Sequence, residues 1–191
     1  MIKFEKKLLL TEEEYAFLLK ELVGIVPAVK HIDYYFDTEE LTMNEKNITC
    51  RIRLKNDNYK ATIKKYSIYD KNSVQSDVDI CQGLQENIFV DFGLTLQGEL
   101  VTYRSVLVSN ELYKVILDKN EYLGCVDYEI KIEYYTDYEI KVNIMLQSII
   151  DTLLIYNHNL VPNEIISRLK DVQKSKAQRF FEKKCCDKKK I

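Results

Sequence analysis

Four separated segments of the chain alternate charged and apolar residues with a period of two. Arg51, Arg53 and Lys55 alternate with Cys50, Ile52 and Leu54, and Lys60, Thr62 and Lys64 alternate with Tyr59, Ala61 and Ile63. Lys3, Glu5 and Lys7 share one parity, as do Asp127, Glu129, Lys131 and Glu133 against Tyr128, Ile130 and Ile132. Side chains on a strand point alternately to its two faces, so each set predicts a charged face backed by an apolar one. On a single strand such a face ordinarily meets water. Here the signs are sorted: the charged faces of the two segments within 50–64 are cationic, and that of 127–133 is mainly anionic. The chain also carries apolar helices that must cover something. If they lie on the apolar faces, the charged faces turn inward around a wide barrel, where isolated charge is costly. Such an interior calls for a polyanionic ligand against the cations and a divalent cation against the carboxylates.

The elements that would position these residues are legible in outline. Residues 3–9 read as a strand. Thr11 with Glu14 forms a capping box opening a helix that carries Tyr15, Leu18, Leu19 and Leu22, with Gly24 and Pro27 ending it. Strands follow over 31–37, 47–55 and 58–66, the last two joined by a turn at Lys55-Asn56-Asp57-Asn58. A polar stretch over 69–76 precedes a short strand over 77–81, and 84–92 favours helix. Three strands are expected near 99–108, 111–118 and 125–135, with turns at Asn110 and beginning at Asp118-Lys119-Asn120-Glu121. Val142, Met145, Leu146, Ile149, Ile150, Leu153 and Tyr156 recur at helical spacing over 139–157, and a last helix covers 174–184. Eight strands without βαβ repetition predict an α+β fold built on an antiparallel sheet or barrel.

The 191 residues hold 28 basic and 30 acidic side chains, so a net charge of -2 excludes gross attraction to nucleic acid. Five Gly and two Pro leave no flexible linker, which predicts a single domain over 1–191. The charged start and the lack of any apolar run near the ~20 residues a membrane helix needs predict a soluble, cytoplasmic protein with no membrane partner. Cys50, Cys81, Cys125, Cys185 and Cys186 read as free thiols, the last two as tail thiols. His31 and His158 read as surface or core histidines without a nearby nucleophile, and no Walker A, GxGxxG or HExxH motif is present. Self-association as a homodimer is left open.

Several segments, in order, resemble the CYTH superfamily, the triphosphate tunnel metalloenzymes. Lys3-Phe4-Glu5-Lys6-Lys7 resembles its ExExK opening, Tyr34-Tyr35-Phe36-Asp37-Thr38 its YYDT strand end, Thr49-Cys50-Arg51-Ile52-Arg53 its LRIR strand and Ala61-Thr62-Ile63-Lys64 its TLK strand. Residues 117–124 with Asp127-Tyr128-Glu129-Ile130-Lys131-Ile132-Glu133 resemble its hairpin ending in ExE, and Ser175-Lys176-Ala177-Gln178-Arg179-Phe180 its C-terminal SKYxRF helix.

The resemblance implies an eight-stranded antiparallel β-barrel forming a triphosphate tunnel, with the helices near 139–157 and 174–184 packing on or closing it. It implies that Lys7, Arg51, Arg53, Lys64, Arg104 and Lys176 hold phosphates, that Glu5, Glu129 and Glu133 hold Mg²⁺ or Mn²⁺, and that Lys7, Arg53 and Glu129 act in catalysis. The implied reaction is hydrolysis of inorganic triphosphate or a related organic triphosphate; the alternatives are a polyphosphate- or nucleotide-binding module with impaired catalysis, or an adenylate cyclase. Lys3 and Lys131 stand where the family has carboxylates, which weakens the metal site that the resemblance implies. Asp77 or Asp79 stands where it has a Glu-containing strand.

Overall fold

Alternation and capping become strands and helices at nearly the expected places in a computed structural model, which describes residues 3–23, 27–66, 73–80, 87–157 and 174–188. The order is β1 (Lys3–Leu10), α1 (Glu12–Leu18) with a π-helical turn (Leu19–Val23), β2 (Val29–Asp37), α2 (Thr42–Glu45), β3 (Ile48–Lys55), β4 (Asn58–Tyr66) and β5 (Ser73–Ile80). It continues with α3 (Asn87–Val90), β6 (Thr95–Ser109), β7 (Tyr113–Tyr122), β8 (Cys125–Tyr135), a 3₁₀ turn (Thr136–Tyr138), α4 (Glu139–Tyr156) and α5 (Lys176–Lys188).

The eight strands form one sheet in the order β1-β8-β7-β6-β2-β3-β4-β5, antiparallel at β1–β8, β2–β3, β3–β4 and β4–β5. A barrel would need a further ladder between β1 and β5. These strands stand at the two ends of the order, so hydrogen bonding leaves the sheet open among the described residues.

The Thr11 capping box is complete, with Glu14 N–H donating to Thr11 Oγ1 and Thr11 N–H to Glu14 Oε2. Asn56 and Asp57 both have positive φ, as a two-residue type I′ hairpin between β3 and β4 requires. Three expectations need correction. β7 runs through Asp118 and Asn120 to Tyr122, and the turn falls at Leu123-Gly124, both with positive φ. The polar residues mistaken for a turn are buried and bonded within the sheet to Arg104 and Thr102. The polar stretch already holds strand from Ser73, and among the described residues that strand runs to Ile80. The helix favoured over 84–92 stops at Val90, before a turn over 91–93, and among the described residues covers Asn87–Val90. Gly24, residues 69–72, Cys81, residues 84–86 and His158 lie outside the described residues.

The chain divides into two compact units, each assembled from separate stretches. One comprises residues 1–29, 103–119 and 126–173; the other comprises 30–102, 120–125 and 174–191. In the first, Leu8, Leu10, Ile130 and Ile132 of β1 and β8 pack with Leu18 of α1 and with Val142, Leu146, Ile150 and Leu153 of α4. The helices therefore do cover the apolar face of this ladder. In the second, β2 is buried on both sides. Phe36 packs with Cys50, Ile52, Ala61, Phe89 and Leu94, whereas Tyr35 packs with Leu100 and with Ala177, Phe180 and Phe181 of α5. Gly98 has φ +145, and a Cβ there would stand 3.0 Å from Phe180 Cζ, so the glycine makes room for that ring.

Phe180 is fully buried, with its centroid 4.8 Å from Tyr35 and edge-on to Phe181. Phe180→Ala is expected to cost about 3–5 kcal/mol of unfolding free energy in urea titration, the range for deleting a buried aromatic ring.

Candidate functional site

Register decides which charges share a face. Across β2, β3 and β4, Arg53 stands opposite both Asp33 and Lys60, Arg51 opposite Tyr35 and Thr62, and Thr49 opposite Lys64. Arg51, Arg53 and Lys64 thus lie on the face that also carries Asp33 and Tyr35, and α5 packs over Tyr35 on that face. Asp33 is 1% exposed. Arg53 grips it with two teeth, Nε to Oδ1 at 2.6 Å and Nη2 to Oδ2 at 2.7 Å, and Arg51 Nη1 reaches Oδ2 at 3.4 Å. Burial by itself would raise the Asp33 pKa, but Arg51 and Arg53, then the Arg53 hydrogen bonds and Lys176, outweigh it and hold the carboxyl down at about 2. Lys176, in the first turn of α5, donates to Thr102 Oγ1 at 3.4 Å, and that hydroxyl donates to Asn120 Oδ1 at 2.9 Å. Two guanidinium groups therefore meet one buried carboxylate. The Arg51 Nε is buried without a hydrogen-bond partner, while Arg51 and Arg53 keep 21% and 24% of their side chains exposed. A half-open cluster of guanidinium groups suits an anion with several oxygens.

The other unit carries a second charged face. On the β1–β8 ladder, Glu5 stands opposite Glu133, Lys7 opposite Lys131 and Leu9 opposite Glu129. Lys131 Nζ lies 2.7 Å from Glu133 Oε1 and 3.9 Å from Glu5 Oε2, and Lys7 Nζ lies 3.3 Å from Glu5 Oε1. Glu129 is 2% exposed, and only Glu5 of this group is open to solvent. The face is therefore not a solvated outer surface. In the same unit Arg104 forms a bidentate pair with fully buried Asp118, at 2.8 and 2.7 Å.

The predicted residues thus fall into two groups, Glu5, Lys7, Arg104, Glu129 and Glu133 in one unit, and Arg51, Arg53, Lys64 and Lys176 in the other. Asp33, Asp118, Thr102 and Asn120 were not anticipated as members. Asp33 carries one weak signal, sharing the parity of Tyr35 in a strand-like run. Lys3 is placed at register position Tyr135, and Asp77 and Asp79 at positions opposite Thr62 and Lys60. Asp37, in the segment resembling YYDT, is fully buried and accepts from the backbone N–H groups of Thr38, Met43 and Asn44, so it holds the start of α2. Burial, reinforced by Asp37, pushes the Cys50 thiol up to about 11, which leaves it a poor nucleophile. Cys50, Cys125, Cys185 and Cys186 are free thiols.

Among the described residues no group of three or more His, Cys, Asp or Glu side chains could by itself enclose a metal ion. Glu5, Glu129 and Glu133 would therefore hold a hard cation only together with phosphate oxygens and water as its remaining ligands.

The CYTH domain model matches residues 1–152. The chain belongs to the CYTH family. YjbK of Bacillus subtilis (strain 168), provisionally named a triphosphatase, is 27% identical over 146 residues, which cover 69% of this chain and 77% of YjbK. The crystal structure of bh2851 from Bacillus halodurans, provisionally named an adenylate cyclase, superposes with a TM-score of 0.69 at 24% identity, covering 94% of this chain and 97% of that one. HpAC1 from Hippeastrum, provisionally named an adenylyl cyclase and described as having a dominant triphosphatase activity, gives 0.59 at 16% identity, covering 84% and 98%. At such identities these structures establish the shared fold. Lys176 lies beyond the matched residues of the CYTH model.

Because the folded-state pKa of Asp33 lies below its ordinary value of 3.8, folding favours the ionised form. That stabilisation is fully present above about pH 4 and is lost as pH falls through about 2. Urea titrations at pH 7, 4 and 2.5 are expected to show wild type losing about 2 kcal/mol more than Asp33→Asn across the acid window.

Proposed function

We propose that this chain is a divalent-metal-dependent triphosphatase acting on inorganic triphosphate or a related organic triphosphate in the cytoplasm. The observation that carries the reading is the pair of partly exposed guanidinium groups, Arg51 and Arg53, held together on the buried carboxylate of Asp33. Membership of the CYTH family and the likeness to YjbK support it. Among the described residues no helix is long and apolar enough to cross a membrane.

In the proposed mechanism Arg51, Arg53, Lys64 and Lys176 of one unit bind phosphate oxygens, and Arg104 keeps the phosphate-binding role that the family resemblance implies. Arg53, whose guanidinium plane is fixed by Asp33, stabilises the charge that spreads over the transferring phosphoryl group, and Lys7 keeps the catalytic role that the family resemblance implies. Water adds to the terminal phosphorus while the anhydride P–O bond breaks. Inorganic triphosphate then yields orthophosphate and pyrophosphate, and the water proton passes to solvent. Bound Mg²⁺ or Mn²⁺ would supply neutralisation of phosphate charge and a means of orienting water. Glu129 is its assigned holder together with phosphate oxygens, with Glu5 and Glu133 as the further carboxylates of that face.

A second reading, polyphosphate binding without rapid turnover, is favoured by one observation: Lys131 lies between two of the three carboxylates assigned to the metal.

Purified protein is expected to release orthophosphate from tripolyphosphate with Mg²⁺ or Mn²⁺. Arg53→Ala and Glu129→Ala are each expected to lower the rate by on the order of a hundredfold, the usual cost of losing one preorganised charge contact. A panel of tripolyphosphate, thiamine triphosphate and ATP, read for phosphate and for cyclic AMP, tests the substrate class. No phosphate release above background from folded protein would reject hydrolysis, and cyclic AMP as the main product from ATP would replace it with cyclisation.

A further inference from the structure

Lys131 occupies an unusual electrostatic position. The ladder sets Glu5 directly opposite Glu133 on neighbouring strands. Directly opposed side chains stand only about 5 Å apart at Cβ, so two carboxylates there repel unless a proton or a cation lies between them. The cation here is covalently part of the chain. Lys131 Nζ is 2.7 Å from Glu133 Oε1 and 3.9 Å from Glu5 Oε2, and the lysine side chain is only 12% exposed. Lys7 adds a second ammonium 3.3 Å from Glu5 Oε1. A divalent ion entering between Glu5 and Glu133 would have to displace the Lys131 ammonium or sit beside it, and like charge at that distance opposes binding. A tethered ammonium, by contrast, loses no translational freedom on taking up its place.

We infer that the Lys131 ammonium takes the place of a divalent ion between Glu5 and Glu133, so that this chain holds polyphosphate without a metal at that position. The polyphosphate half of the inference rests on the triphosphate reading above; the metal half does not. It confines any metal that takes part to the neighbourhood of Glu129, arriving with phosphate oxygens as its other ligands. It also makes Lys131 a specificity-determining residue, one that selects between fixed and exchangeable positive charge.

Two measurements on the full chain test it. The first titrates Mn²⁺ alone, without phosphate, and follows the free-ion signal by electron paramagnetic resonance. Lys131→Gln, and Lys131→Met as a second neutral variant should the first fail to fold, are expected to bind Mn²⁺ at least tenfold more tightly than wild type. Lys131→Arg, which keeps the charge, is expected to match wild type. Wild type binding Mn²⁺ as tightly as the neutral variants overturns the inference. The second measurement records the melting temperature with millimolar tripolyphosphate in EDTA or in Mn²⁺. Wild type is expected to keep its shift in EDTA, and the neutral variant to show most of its shift only with Mn²⁺. A wild-type shift abolished by EDTA also overturns it. A wild type unmoved by tripolyphosphate in either condition overturns the triphosphate reading instead, and the Mn²⁺ titration then decides the role of Lys131 by itself.

Discussion

Asp33 and Asp118 are carboxylates taken almost wholly out of water, and each is held by a guanidinium that meets both of its oxygens. An ion buried without such a partner would cost several kcal/mol, so these pairs are a condition of the charged faces existing. The pairing acts on the arginines as well. A bidentate contact uses two of five N–H donors and fixes the plane of the fork, so the guanidinium is oriented before any ligand arrives. Asp33 thereby does two things: it allows Arg51 and Arg53 to crowd together, and it aims Arg53. Removing it would leave the two cations repelling each other at the same spot.

The same strands must satisfy an opposite demand on their other side. In one unit Ile130 and Ile132 pack under Leu18 and α4, while Glu129, Lys131 and Glu133 turn the other way. In the other, Phe36 and Ile52 face an apolar cluster, while Asp33, Arg51 and Arg53 share the face on which α5 lays Phe180 and Phe181 against Tyr35. A slip of one residue in either ladder would exchange the two faces, burying charge among leucines and isoleucines. Register is thus strongly specified, and the hydrophobic packing that specifies it is also what sets the charged side chains opposite one another.

That coupling explains what could be read from the sequence. Alternation at 50–55, 59–64 and 127–133 is a local property, and it places Arg51, Arg53, Lys64, Glu129 and Glu133 on faces directly. The capping box at Thr11 and the turn at Asn56-Asp57 are equally local. Which acids answer the arginines is not local. Asp33 meets Arg53 across twenty residues of chain and Asp118 meets Arg104 across fourteen. Asp118 and Asn120 also look like turn formers until their bonds to Arg104 and Thr102 are known, which is why β7 continues past the expected turn. The position of Lys131 between Glu5 and Glu133 depends on a register that one strand's sequence does not contain.

The two charged faces meet their acids differently. Asp33 is gripped by Arg53 through both oxygens and reached by Arg51 through one, so a carboxylate that the guanidinium groups keep ionised also orients them. On the β1–β8 ladder Lys131 reaches both Glu133 and Glu5, and Lys7 reaches Glu5 as well. A resident ammonium and an entering divalent ion compete for the same carboxylate oxygens. A metal is therefore favoured where it brings phosphate oxygens as further ligands, rather than where it must take every ligand from this face.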